Sequence, residues 1–345
     1  MLYEHVHIEA FGHLLPERVV TSDEIEERLA PLYDRLRVSA GRLELSSGIR
    51  ERRFWQPGTR PSTVAAEAGR IALERSGVDA SRIGCLIHAS VCRDFLEPAS
   101  ASVVHHALGL PSQCTAFDLS NACLGFANAM TLLAGRIEHG EIEAGLVVAG
   151  ESGGPLVEET LRALTSDETV GRRDLKRAHA SLTIGSGAAA AVLVHADRAQ
   201  SARRLLGSVA LADTTAHTLC HGDQKDGRAG PLMETDSEAL LVAGNELAGR
   251  TWRRYLDELG WSAEQVERVV THQVGSAHKR LLFETLGLDP ALDFPTVETL
   301  GNTGSVALPI SYALGEEAGF IRSGHKVALL GIGSGLHCQM LAIQA

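Results

Sequence analysis

Near-continuous apolar runs recur along the chain, separated by stretches with helical spacing. They are "IGCLIHASV" at 83–91, "AGLVVAGES" at 144–152, "AAAAVLVHA" at 188–196, "LLGSVALAD" at 205–213, "VERVVTHQV" at 266–274 and "HKVALLGIG" at 325–333. Runs of this length without polar alternation predict strands covered on both faces. Between them, "PSTVAAEAGRIALERSG" and "EALLVAGNELAGRTWRRYLDELG" predict helices, and the alternation of the two defines an α/β protein. The runs near 146 and 327 each follow a helix and a glycine, which predicts an internal duplication. On this reading residues 1–200 form one half and 201–345 the other. The polar, charged stretch from Gly153 to Ala180 is expected to be a cap or interface insertion.

One junction carries candidate chemistry. "FDLSNACLGFANAM", from Phe117 to Met130, reads as a strand end, then Ser120 and Asn121 as capping residues, then a helix. Leu124, Ala127, Met130, Leu133 and Ile137 keep helical spacing as far as Gly140. Cys123 therefore falls at a helix start, where unpaired N–H groups and the helix dipole favour a thiolate. A buried cysteine in an apolar run is equally a small hydrophobe, so this pattern alone leaves nucleophile and structural thiol open.

Charge and cysteine usage remove several other classes. A formal net charge of −11 over 345 residues supplies no basic face for nucleic acid, and "GRRDLKR" at 171–177 reads as a solvated helix. The six cysteines include no CxxC pair, and Glu4 and His5 break any early apolar run, so reduced thiols in the cytoplasm are expected. No apolar stretch approaches the ~18 residues of a membrane span. The "HTLCHG" cluster (His217, Cys220, His221) lacks a second ligand pair and reads as a loop, not a metal site. "GIGSG" at 331–335 lacks dinucleotide-binding spacing and opens no helix; it reads as backbone that must approach something closely. "GSG" at 185–187 reads as a packing turn.

Two further junctions stand out. "VVTHQVGSAHKRLLFETLG" puts His272 after a strand at the mouth of a helix, and "LGNTGSVALPI" sets Asn302 in a glycine-flanked turn that feeds another. Alone, such a histidine is more often a core or cap residue, and such an asparagine more often a turn residue. Cys123 in "NACLGF", His272 in "HQV" and Asn302 in "GNTGS", with "SGIRERRFW" at 47–55 and the terminal "GIGSGLHC", resemble the thiolase-fold condensing enzymes of the ketoacyl-synthase III type. The spacings agree: His272 follows Cys123 by 149 residues and Asn302 follows His272 by 30. The resemblance implies a five-layered αβαβα thiolase fold of two duplicated halves in a homodimer. Within the family the likeness is greatest to the thiolases of long-chain olefin biosynthesis, carried by "SVCRDFLEPASASVVHHALGL" at 90–110, "CLGF" and "HQV".

That resemblance implies an acyltransferase joining two fatty acyl-coenzyme A molecules head to head without decarboxylation. Cys123 would carry the acyl group, and the backbone N–H groups of Cys123 and Ser334 would form its oxyanion hole. His272 and Asn302 would donate to the second thioester, while Glu97 would be the base, entering the partner subunit's site. No cofactor is implied beyond coenzyme A thioesters as substrates; downstream hydrocarbon-pathway enzymes are the implied partners. Malonyl-using relatives carry an asparagine and an arginine where Gly275 and Ala277 stand, and an arginine where Ser46 stands. These departures count against carrier-protein docking and leave the coenzyme A contacts unassigned. The alternatives are a malonyl-dependent 3-oxoacyl synthase III, a pyrone- or resorcinol-forming ketosynthase, and a silent acyl-binding subunit of a synthase.

Overall fold

The computed structural model describes residues 1–223 and 231–345. Nine strands form one mixed sheet: β1 (Val6–Leu14), β2 (Ile83–His88), β3 (Thr115–Asp118), β4 (Ala144–Glu151), β5 (Gly187–His195), β6 (Arg204–Ala212), β7 (Arg268–Thr271), β8 (Lys326–Gly333) and β9 (His337–Gln344). Their spatial order is β7-β8-β9-β6-β1-β5-β4-β2-β3. β2 runs parallel to β3 and β4, β4 antiparallel to β5, and β5 antiparallel to β1. The same scheme repeats downstream: β7 is parallel to β8, β8 antiparallel to β9, and β9 antiparallel to β6. A single register pair, His7 with Arg204, joins β1 to β6 at the seam. Where β3 borders β2, the repeat has, among the described residues, only an isolated parallel bridge between Val269 and Asp293.

Six helices complete the repeat: α1 (Pro61–Ser76), α2 (Ser100–Ala107), α3 (Gly125–Glu138), α4 (Ser237–Leu259), α5 (Ser276–Leu286) and α6 (Ala307–Glu317). Proline starts α1 and a left-handed Gly77 ends it; the Asp236 side chain caps α4 and a left-handed Gly260 ends it. Period-two alternation then sorts the strand side chains into layers. In β5, Ala189, Ala191 and Leu193 face a central core shared with α3 and α6, while Ala188, Ala190 and Val192 face α1 and α2. In β8, Val327 and Leu329 face the same central core, while Ala328 and Leu330 face α4 and α5. The result is the αβαβα layering of the thiolase fold. On α3, Phe126, Met130, Leu133 and Ile137 form one buried stripe. Truncating Leu133 to alanine would cost about 2–5 kcal/mol.

The stretch after Gly153 is helical at Gly154–Thr165 and Arg172–Ala178. Val157, Leu161 and Leu164 of the first helix pack on Ile25, Leu29 and Leu32 of helix Ser22–Leu36, in a core separate from the layers. The "HTLCHG" cluster, expected as a loop, is a short 3-10 turn (Thr214–Leu219) running into strand Cys220–Asp223, which pairs with Leu232–Thr235.

Candidate active site

The chain reverses sharply between β3 and α3. Leu119 N–H donates to the His88 carbonyl at 2.9 Å, and Leu124 and Gly125 N–H donate back to Asn121 and Ala122 at 2.9 and 3.3 Å. Ala122 holds φ of 46°, a left-handed conformation uncommon for alanine. Cys123 follows it, half-buried, and α3 begins only at Gly125. The expectation that Cys123 starts the helix behind a Ser120 or Asn121 cap is thus corrected. No side chain caps α3, and the Asn121 amide instead donates to Asn128 Oδ1 at 2.7 Å.

The glycine-rich end of β8 packs against this turn. A Cβ on Gly331 would come within 2.6 Å of Leu124, and one on Gly333 within 3.2 Å of Leu124 and 3.6 Å of the Cys123 nitrogen. The close approach expected of "GIGSG" is therefore made to the cysteine turn itself, with half-buried Ser334 next along the chain. The thiol is not activated as its helix-start reading predicted. Burial first, then the Glu151 carboxylate and Cys220, push it up to about 12. In this state Cys123 is a protonated thiol.

His272 continues from β7, its N–H donating to the Leu330 carbonyl of β8 at 2.8 Å. It is buried, and its Nδ1 has no hydrogen-bond partner among the described residues. Burial, with His278 adding to it, lowers its pKa to about 4, so the ring is neutral at ordinary pH. Beneath it, Thr271 N–H and Oγ1 both donate to Asp293 Oδ1 at 3.2 Å, and Lys279 pairs with Asp293 at 2.7 Å. A mainly apolar cavity of about 50 Å³ opens beside His272, lined also by Leu241, Leu282 and Met340.

Asn302 lies between left-handed Gly301 and Gly304, with φ of 66° and 62°. Its N–H donates to the Thr183 carbonyl and its carbonyl accepts from Gly185 N–H, at 2.9 and 2.8 Å. A Cβ on Gly185 would sit 2.0 Å from the Leu300 carbonyl, so "GSG" packs as closely as expected, but it leads straight into β5 at Gly187 and is not a turn. Asn302 Oδ1 accepts from Gly304 N–H at 3.0 Å, which fixes the rotamer and turns the amide N–H₂ away from that contact.

Glu97 is exposed, beside Phe95 and the almost fully exposed Leu96. Its loop is anchored behind the tip: Asp94 accepts from Ser62 N–H and Oγ at 2.9 and 2.6 Å, and Arg60 stacks over Phe95 at 4.9 Å. The fold thus gathers Cys123, the Ser334 turn and His272 around the end of β8, and leaves Glu97 pointing outward. Among the described residues no group of three or more His, Cys, Asp or Glu could hold a metal ion.

Sequence reading missed Glu151. It ends β4, is 5% exposed, touches the Asn302 turn through Ser305 Oγ and adds its charge to the environment of Cys123. The available signal was a lone carboxylate closing an otherwise wholly apolar strand.

Fold and site together define a thiolase-fold condensing enzyme. Residues 55–184 match the thiolase N-terminal domain, and residues 256–345 match the C-terminal domain of 3-oxoacyl-[acyl-carrier-protein (ACP)] synthase III. The chain is 39% identical to the acyl-CoA:acyl-CoA alkyltransferase of Shewanella oneidensis, with all of both chains covered. It is 38% identical to that of Xanthomonas campestris over 99% of each. A crystal structure of an OleA variant from Xanthomonas campestris with bound lauric acid and lauroyl-CoA superposes with a TM-score of 0.94 at 37% identity, covering 100% of both chains. The chain belongs to the acyl-CoA:acyl-CoA alkyltransferase family, the OleA enzymes.

Proposed function

We propose that this enzyme joins two long-chain fatty acyl-CoA molecules head to head by a non-decarboxylative Claisen condensation. The observation that carries the reading is full-length similarity to acyl-CoA:acyl-CoA alkyltransferases in a chain with a cysteine turn packed against a glycine-rich strand end. In the first half-reaction the Cys123 sulfur attacks the acyl carbonyl and coenzyme A leaves as its thiol. We assign the transfer of the thiol proton to the neutral His272 imidazole, which returns it to the departing sulfur; burial disfavours each charge alone, so thiolate and imidazolium would have to form as a pair. The backbone N–H groups of Cys123 and Ser334 serve as the oxyanion donors.

In the second half-reaction Glu97 removes an α-proton from a second acyl-CoA. The resulting enolate carbon attacks the acyl-cysteine, the Cys123 sulfur leaves, and a 2-alkyl-3-ketoacyl product forms. His272 and the Asn302 amide donate to the enolate oxygen. Exposure of Glu97 on its own protomer supports its service in trans within a homodimer. No resident cofactor takes part, the substrates being coenzyme A thioesters; the proposed setting is cytoplasmic, with downstream hydrocarbon-pathway enzymes receiving the product. Residues 1–200 and 201–345 are the proposed halves, and 153–180 the proposed insertion. No helix among the described residues is long and apolar enough to cross a membrane.

Incubation with myristoyl-CoA alone should raise the intact mass by one acyl unit at Cys123 and release a condensed product. Cys123→Ala should abolish both. Glu97→Ala should acylate but not condense, and a mixed dimer of the two variants should recover one working site. A protein that acylates but needs malonyl-CoA to condense would replace this reading with the decarboxylating one.

A further inference from the structure

Glu151 is buried, and its carboxylate partners among the described residues are neutral donors from two separate segments. From the loop that leads to Glu97, Val91 N–H donates to Oε1 at 3.0 Å and Cys92 N–H to Oε2 at 3.2 Å. From the turn that carries Asn302, Ser305 Oγ donates to Oε1 at 2.5 Å. A Cβ on Gly304 would sit 3.5 Å from the same carboxylate, and Gly304 N–H is the group that holds Asn302 Oδ1. The contacts around it are also fixed: Trp55 Nε1 donates to the Glu151 carbonyl at 3.0 Å, and Ser152 N–H donates to Cys92 Sγ at 3.3 Å.

We propose that Glu151 is a positioning residue of the condensing site, whose single buried carboxylate holds the Glu97 loop and the Asn302 turn in fixed relation. The proposal rests on the roles given above to Glu97 and Asn302. Three charge-assisted bonds from two segments make the carboxylate a shared anchor, and an amide cannot replace it, because its N–H₂ would face N–H groups. With Glu97 serving in trans, one Glu151 orients the donor of its own site and the base that its protomer lends to the other. The same charge faces the nucleophile. The titratable groups bearing on Cys123 are Glu151 and Cys220, and those bearing on Cys92 include Glu151; burial and this carboxylate push both thiols up.

The test uses the full-length protein in two assays. With myristoyl-CoA, Glu151→Gln should still acylate Cys123 while condensation falls at least tenfold. In the second assay, labelling of Cys123 at pH 8 is followed by peptide mass with neutral iodoacetamide and anionic iodoacetate. Removing the charge should speed both, and iodoacetate at least threefold more; Glu151→Asp, which keeps the charge, should leave the ratio within twofold. A merely structural role would not change that ratio. Wild-type condensation rates in Glu151→Gln, or an unchanged labelling ratio, would overturn the proposal. Should Glu151→Gln not fold, Ser305→Ala decides: it cuts only the tie to the Asn302 turn and should lower condensation at least threefold with acylation intact, and full condensation would refute the anchor. Absence of product from the wild type would instead count against the condensation reading, and the labelling ratio would still judge Glu151.

Discussion

The turns before α3 and before α6 occupy matching places in the repeated half, yet they are built differently. Before α3 an alanine takes the left-handed conformation and presents a thiol; before α6 two glycines do so and present an amide. The thiol is kept protonated by burial and a neighbouring carboxylate, whereas the amide is locked by its own turn. On the proposed mechanism, one scaffold therefore supplies a group that must change its protonation and bonding during reaction and another that must stay still. The second task is served by turn geometry, and the first needs a proton acceptor close by.

The largest effect that would sharpen this contrast is kinetic. Asn302→Ala should still acylate Cys123 from myristoyl-CoA, while condensation drops about 10²–10³-fold, the usual loss for one oxyanion donor. Equal loss in both steps would erase the division of labour between the turns. A second effect is on stability against pH. Burial holds folded His272 at about 4, against an ordinary value of 6.5. Between those values the unfolded chain takes up a proton that the folded chain does not. Stability contributed above pH 6.5 is therefore lost as pH falls toward 4, by up to roughly 3 kcal/mol. Urea unfolding at pH 7 and pH 4.5 should show a smaller loss for His272→Asn than for the wild type.

Smaller still are the backbone effects. At Gly301 a Cβ would meet the Thr183 carbonyl at 2.7 Å with φ of 66°, so Gly301→Ala should cost about 2 kcal/mol or more. At Ala122 the relief of left-handed strain and the extra chain entropy of glycine nearly cancel. Ala122→Gly should then stay within about 0.5 kcal/mol of the wild type. Denaturant unfolding measures both, and similar losses at the two positions would show that the turns are not built differently after all.

Much of this was legible in the chain. β4, β5, β6 and β8 fall within a residue or two of their apolar runs, β4 and β5 being buried on both faces, whereas β2 ends at His88, three residues before its run does. β1 and β9 were not read, although both lie inside the sheet. In β1 the buried Glu9 breaks the apolar signal, and its carboxylate is satisfied by Gln200 and Ser201 N–H from almost two hundred residues away. In β9 the buried Gln339 does the same, donating to Ser208 and Thr131. A local pattern shows a polar residue but not the distant partner that makes its burial affordable. The proposed site residues Cys123, His272 and Asn302 stand out in the sequence because each sits in a short motif. The state of the thiol was not, since it depends on Glu151, and Glu151 depends on Val91, Cys92 and Ser305.

The central helices α3 and α6 bear on what happens if the chain is cut. Each lies in a core to which β1, β2, β4 and β5 contribute from one side and β7, β8 and β9 from the other. A fragment ending between β5 and β6 would keep the packing of Leu133 on β4 but lose α6, β7, β8 and β9, and so leave open the apolar side of the core that they close. Each fragment would expose apolar surface that the other covers, so the two made together should close over the same pair of helices.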